Sequence, residues 1–507
     1  MNSSLTYKTL RVTLYLNLLS ILFADERLYL KQAKTLENKT IKGQSIKFIS
    51  GDVIFTKGDL ILNCEKGRHY EKTELAVLFK NVSAIQEQRT LTCDTIKFFS
   101  KEDRLLSIGS SHVWDQDYDL KADSITVFTE QDSGVALGNV VLNQKGQIIK
   151  ANRIEYQKDK EQDGVSYTAI GNVIIEDSSR TANCGKARYD RKNEVTTLEI
   201  NPIITENDRV LSGSKIILQY NEEELDRLHI PKQALAITPI EGYQESIVDS
   251  LKTGDTLRFK DRMEGSQLTS YFKNGNLDSL RIVGMAKTLY HVFEDSIYQG
   301  KNNASGDTII MMFLEDELDV LKVIGGSEGK YIPDSISNDV NQPIIYSANY
   351  IKYRLKDDES DFEGKVKIKH DRTDLDAGFV SVNWQNNLLN ALPRLASDTI
   401  SEPLYPVIKE DGRDPMTGDA MIYNLKTRKG KITKGQTKAD DGYYTGRKIR
   451  NESQKVIFIE NSTYTTCDLD TAHFHFESKK MKIIQNDIVV ARPIILHLGQ
   501  IPIFGIP

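Results

Sequence analysis

The chain has 507 residues, with 66 Lys and Arg against 72 Asp and Glu and a formal net charge of −6. That balance argues against a general nucleic-acid binder, which is usually basic, and gives no overall attraction to an anionic membrane surface. With 39% hydrophobic residues, 22 Tyr, 17 Phe and only 12 Pro, the composition is that of a soluble chain rich in strand formers.

The amino terminus differs from the rest. Lys8 and Arg11 precede the apolar run Val12–Ala24, and Asp25 and Glu26 follow. A positive segment, an apolar stretch and a small final residue mark an export signal, although Leu22 is larger than the residue usual at the −3 position. Residues 1–24 are therefore expected to be a signal peptide. No later stretch approaches the ~20 apolar residues that a membrane helix requires.

From residue 60 a short unit recurs: apolar, one position, small, two positions, apolar, one position, apolar. It reads Leu91-x-Cys93-x-x-Ile96-x-Phe98, Leu120-x-Ala122-x-x-Ile125-x-Val127 and Ile149-x-Ala151-x-x-Ile154-x-Tyr156. The small residue falls at Cys64, Cys93, Ala122 and Ala151, 29 residues apart, then at Cys184 after 33 and Gly213 after 29. A fixed period in this range predicts stacked supersecondary units sharing one core. The apolar positions run i, i+2, i+5, i+7, whereas strand side chains have period two. The extra residue after the small position therefore predicts a bulge or bend. Glycines followed by a polar residue and valine (Gly138-Asn139-Val140, Gly171-Asn172-Val173, Gly364-Lys365-Val366) read as tight turns ending units of two to four short strands.

The column also bears on the cysteines. Cys64, Cys93 and Cys184 share it with Ala122, Ala151 and Gly213, so small size is the requirement there, and cysteine serves as a small buried hydrophobe. Beyond residue 220 the unit continues with longer insertions, as at Ala304-x-Gly306-x-x-Ile309 and Leu375-x-Ala377-x-x-Val380. Residues 25–221 form a first array and 222–385 a second. Pro393, Pro403, Pro406 and Pro415 make 386–415 a linker or loop, and 416–507 form a last segment. An alternating strand must bury its apolar face, as a jelly roll, a β-helix or two sheets hinged into a trough. The inward residues either pack on one another as a filled core or line a groove suited to acyl chains.

The carboxyl-terminal residues carry a more specific signal. Tyr464-Thr-Thr-Cys-Asp468 and Ala491-Arg-Pro493, followed by Gly499-Gln-Ile-Pro-Ile-Phe-Gly505, closely resemble the LptD (OstA-like) outer-membrane lipopolysaccharide assembly proteins where the periplasmic domain passes into the barrel. The upstream repeats are similar to the OstA/LptA β-jelly-roll by pattern. The resemblance implies an all-β fold of elongated, stacked β-jelly-roll repeats forming an open trough. It also implies a periplasmic scaffold, associated with the cell outer membrane, that shields lipid A acyl chains and passes lipopolysaccharide onward, with no catalytic centre and no cofactor. Its partners would be lipopolysaccharide, other jelly-roll proteins joined by edge-strand addition, and an outer-membrane barrel, because the family's barrel does not follow Pro507. The competing reading is a structural or adhesive cell-surface β-repeat protein with a filled core. A carbohydrate-active β-helix enzyme is disfavoured, since no pair of carboxylates stands out from turn positions.

The candidate groove residues are Leu91, Cys93, Ile96, Phe98, Leu120, Ala122, Ile125, Val127, Ile149, Ala151, Ile154 and Tyr156. Residues 426–450 hold nine Lys or Arg. Lys426, Arg428, Lys429, Lys431, Arg447 and Lys448 are candidates for lipid A phosphates through charge-assisted hydrogen bonds, or else a solvated hairpin rim. Cys467 matches a family cysteine that in some members forms a disulfide. Its partner near the end of the barrel is absent here, leaving a free thiol or a link to another chain. Cys467, Asp468, Asp470, His473 and His475 include metal-ligand types but fit no strong zinc spacing, and no metal is expected.

Overall fold

A computed structural model describes residues 28–507 except positions 117, 129–132, 145, 160–163, 179, 207, 222–223, 249–250, 295, 316, 336–341, 395–402, 412–413, 440–441, 454–455, 470 and 485–486. The expected signal peptide, 1–24, lies outside the described residues, as do Asp440, Asp441 and Asp470. Among the described residues the secondary structure is strand apart from a single 3-10 turn, Ser100–Glu102. No described helix is long and apolar enough to cross a membrane. The chain forms two compact units. One runs to Ala236 and adds Gln267–Leu277; the other comprises Ile237–Ser266 and Asp278–Pro507.

In the amino-terminal unit each strand from Gln44–Lys57 to Arg180–Asp190 pairs antiparallel with the next along the chain. The 29-residue period is one complete hairpin: strands begin at Leu60, Arg89, Tyr118 and Gln147. The register slips near the middle of each strand, for instance between Thr92 and Thr95 and between Lys121 and Ser124. The slip straddles the small column, as the i+2/i+5 spacing predicts. It resets the alternation, so both halves of a strand bury the same concave side. Strand Arg104–Trp114 buries Leu105 and Ser107 before the bend and Ser111 and Val113 after it.

The Gly-polar-Val segments are not turns. Gly138-Asn139 lies inside strand Ser133–Gln144, Gly171-Asn172 inside Gly164–Glu176 and Gly364-Lys365 inside Glu359–His370. Each pair is left-handed, with φ of 76° and 45° at Gly138 and Asn139, and makes the bend in alternate strands. A unit is therefore two long bent strands, where the spacing suggested two to four short ones. Glycine is required twice over at Gly138: its φ disfavours an L side chain, and a Cβ there would lie 2.1 Å from Asp123 Oδ2. Asp123 also accepts a hydrogen bond from Asn139 Nδ2 at 3.1 Å.

The small column has a steric cause that its glycine members expose. A Cβ at Gly213 would meet Ile230 at 2.3 Å, at Gly265 Ile282 at 2.4 Å, and at Gly418 Ile432 at 2.4 Å. At these glycines the crease is filled by the β-branched residue of the adjoining strand, leaving no room for a Cβ unless that side chain shifts.

The regular ladder divides at set points. Arg180–Asp190 pairs with two short strands, Val195–Glu199 and Ile203–Glu206. Thr373–Asn383 divides in the same way between Leu388–Leu392 and Val407–Glu410. Leu388–Leu392 and Val407–Glu410 both lie within the expected 386–415 linker.

Candidate functional site

Nine of the twelve groove candidates fall into continuous rows running across the strands. One row reads Ala84, Leu91, Val113, Leu120, Leu142, Ile149, Ile175, Ala182 and Ile204. A second, beyond the bend, reads Leu78, Ile96, Ser107, Ile125, Ala136, Ile154, Ala169, Ala187 and Leu198. A third runs Phe98, Leu105, Val127, Gly134, Tyr156, Tyr167 and Tyr189. Neighbouring strands lie ~4.8 Å apart, so a nine-strand row extends roughly 38 Å. Cys93, Ala122 and Ala151 occupy the crease between the first two rows.

None of the twelve is more than 9% exposed. The interior is closed by its own side chains, each large apolar one contributing ~1.5–3 kcal/mol through burial. Large and small residues alternate along the second row from Ile96 to Ala169. The polar member, Ser107, is satisfied: it donates to Ser111 Oγ at 2.8 Å. The third row ends in a tyrosine ladder, Tyr156 to Tyr167 at 5.4 Å and Tyr167 to Tyr189 at 6.3 Å between ring centroids. Burial pushes the Tyr189 phenol above its ordinary pKa.

The interior of the carboxy-terminal unit holds a hydrogen-bonded polar chain. Tyr353 donates to Tyr346 Oη at 2.9 Å, and Tyr346 donates to Asn302 Oδ1 at 2.6 Å. Burial pushes the Tyr346 phenol up to about 12. His370 is 3% exposed and neither ring nitrogen has a hydrogen-bond partner among the described residues. Its pKa is lowered, first by burial and then by the Arg428 charge. A cavity of about 20 Å³, enough for roughly one water, is walled by Leu389, Ile408, Met416, Met421 and Ile449 among others.

The basic residues of 426–450 are dispersed along strands Gly430–Ala439 and Gly442–Ser453 and the turn before them. Carboxylates meet several: Arg428 with Asp371 at 2.7 Å, Lys429 with Glu452 at 2.8 Å, and Lys448 with Glu460 at 3.9 Å. Lys431 is half-buried, while Lys426 and Arg447 are exposed. Cys467 Sγ lies 3.7 Å from His473 Nδ1. All four cysteines are free thiols, and burial raises those of Cys64, Cys93 and Cys184 to about 11. Among the described residues no three metal-ligating side chains converge.

Sequence reasoning passed over the polar residue that follows Cys93, Ala122 and Ala151. Asp94, Asp123 and Asn152 stand against the bend glycines Gly109, Gly138 and Gly171 of the next strand. The signal is present in the sequence as Asp or Asn recurring one place after the small column.

Residues 32–161 and 119–224 match the family model described as LptA/(LptD N-terminal domain) LPS transport protein. The resemblance to the LptA/LptD amino-terminal family is borne out. The matched residues cover the amino-terminal array, and the YTTCD and GQIPIFG segments lie outside them. No curated protein sequence matches the chain. Among solved structures the chain is similar to LptH of Pseudomonas aeruginosa, the LptA homologous periplasmic component of the conserved lipopolysaccharide transport device. That similarity has 19% identity over 22% of this chain and 81% of that one, at a TM-score of 0.20.

Proposed function

We propose that this protein is a lipopolysaccharide-transport scaffold of the periplasm, associated with the outer membrane, whose interior rows shield the acyl chains of lipid A. The observation that carries the reading is the coincidence of the family match, residues 32–224, with the apolar rows that cross the same strands. An acyl chain laid along a row meets apolar side chains at every strand, and the bend residues form a hinge about which the two halves of each strand part to admit it. The role is transport, and no residue is assigned a bond-making part. Transfer to a neighbour would use sheet edges: Tyr29–Gln32 and Thr35–Ile41 both pair with Gln44–Lys57 and expose Tyr29, Leu36 and Ile41. Unpaired strand edges are templates for strand addition by another jelly-roll unit.

The closed interior favours a second reading, a structural β-repeat protein whose core is simply filled. Co-elution separates the two. Radiolabelled lipopolysaccharide mixed with the purified chain is expected to travel with it through size-exclusion chromatography. A filled-core protein leaves the lipid in its own aggregates.

A further inference from the structure

The outward face of the carboxy-terminal unit carries a concave cleft of about 860 Å³ that the interior rows do not account for. Most of its lining falls into two adjacent rows across the strands, with Thr288, Ala304, Gly329, Tyr346, Ile368 and Leu375 on the positions between them. One reads Glu264, Lys287, Ser305, Glu328, Ser347, Lys367 and Asp376; the other reads Arg262, Leu289, Asn303, Lys330, Ile345, Lys369, Asp374 and Lys409. Three acids are partnered: Glu264 with Arg262 at 2.7 Å, Asp374 with Lys369 at 3.5 Å and Asp376 with Lys409 at 3.2 Å. Lys287, Lys330 and Lys367 are exposed, and among the described residues no carboxylate lies within ion-pair distance of them.

The composition of the cleft selects its ligand. Only Leu289 and Ile345 present large apolar side chains outward, too few for an acyl chain. Carboxylates alternate with the cations, which disfavours a densely charged polyanion such as nucleic acid. Lysine ammonium groups separated by Ser, Asn and Glu acceptors suit a ligand with a few isolated anions set among hydroxyl groups. Lys287 and Lys367 lie in one row, roughly 19 Å apart at four strand spacings, and Lys330 in the adjacent row lies roughly 12 Å from each. That spacing suits phosphates carried on several linked sugar rings.

We propose that this outward cleft binds a phosphorylated saccharide, the sugar portion of lipopolysaccharide, with Lys287, Lys330 and Lys367 as the phosphate-binding cations. The identity of the ligand rests on the transport reading; the cleft and its charge pattern do not. The test is calorimetric titration of the full chain with deacylated lipopolysaccharide, beside a neutral maltooligosaccharide and a heparin oligosaccharide. Deacylated lipopolysaccharide is expected to bind, the neutral sugar not to, and the triple variant K287Q/K330Q/K367Q to lose about tenfold or more in affinity. The K287R/K330R/K367R variant is expected to retain binding, and unchanged melting of both variants excludes misfolding. Absence of binding, a loss under twofold in the Gln variant, or binding of heparin alone would overturn the proposal. Acyl-chain crosslinking from the interior is an independent readout. If it fails while the lysine-dependent saccharide binding holds, the interior shielding role falls and the cleft stands; the converse removes only the cleft.

Discussion

The amino-terminal array and the carboxy-terminal unit use the same bend but fill their interiors differently. In the first, rows of Leu, Ile, Val and Ala cross the strands and one of them ends in the ladder Tyr156, Tyr167 and Tyr189. In the second, Tyr346, Tyr353 and Asn302 form a hydrogen-bonded chain, His370 is buried with no hydrogen-bond partner among the described residues, and Met416 and Met421 border a void. The bend is a backbone device and tolerates many side chains inside it. What the interior can accept is set separately, by the residues along the rows.

Core truncation should produce the largest effect and sharpen that contrast. Leu120→Ala, at a fully buried position, is expected to cost about 3–4 kcal/mol in denaturant unfolding. Met421→Ala, beside an existing void and lost from a flexible side chain, is expected to cost nearer 2 kcal/mol. Equal costs would dissolve the distinction in packing.

The bend predicts the next effect. Gly138→Ala is expected to lose about 1–3 kcal/mol through its left-handed φ and the collision with Asp123. Gly364→Ala is expected to lose less, because a Cβ there stands 2.8 Å from Asn349 Nδ2 rather than 2.1 Å from a carboxylate oxygen. Asp123→Ala combined with Gly138→Ala should recover part of the loss. Additive losses would mean that the aspartate is not the obstacle.

A smaller, pH-dependent difference belongs to His370. Burial lowers its folded pKa below the ordinary 6.5, so the unfolded chain takes up the proton first as pH falls. The stabilising contribution of the neutral ring is complete above that value and diminishes below it. Thermal melts of the wild-type chain from pH 7.5 to 5 should show a decline that His370→Leu flattens. Least of all, Lys429→Gln should change stability by no more than ~0.5 kcal/mol, as its pair with Glu452 is exposed. A loss above 1 kcal/mol would show that the basic hairpin is a structural network.

The sequence pattern made the repeat, the inward columns and the bend legible, because each is a spacing within one strand. Cys93, Ala122 and Ala151 could be read as a crease from their period alone. Features that depend on cross-strand register were not legible. Gly138-Asn139 resembles a turn in one dimension and is a mid-strand bend only because Asp123 of the neighbouring strand stands over it. Lys287, Lys330 and Lys367 are far apart in the chain and share a face through four strand pairings. The basic run of 426–450 shows the same limit, since closeness in sequence does not reveal that Asp371, Glu452 and Glu460 approach Arg428, Lys429 and Lys448 from other strands.

The central claim is that the interior rows hold acyl chains, and site-specific photocrosslinking to lipopolysaccharide tests it most directly. Crosslinkers at Ile125 and Ile154, inward and buried, are compared with crosslinkers at Lys121 and Asn152, outward and exposed. The account predicts labelling from the inward pair and background from the outward pair. Equal labelling at both, or none from Ile125 and Ile154, would contradict it.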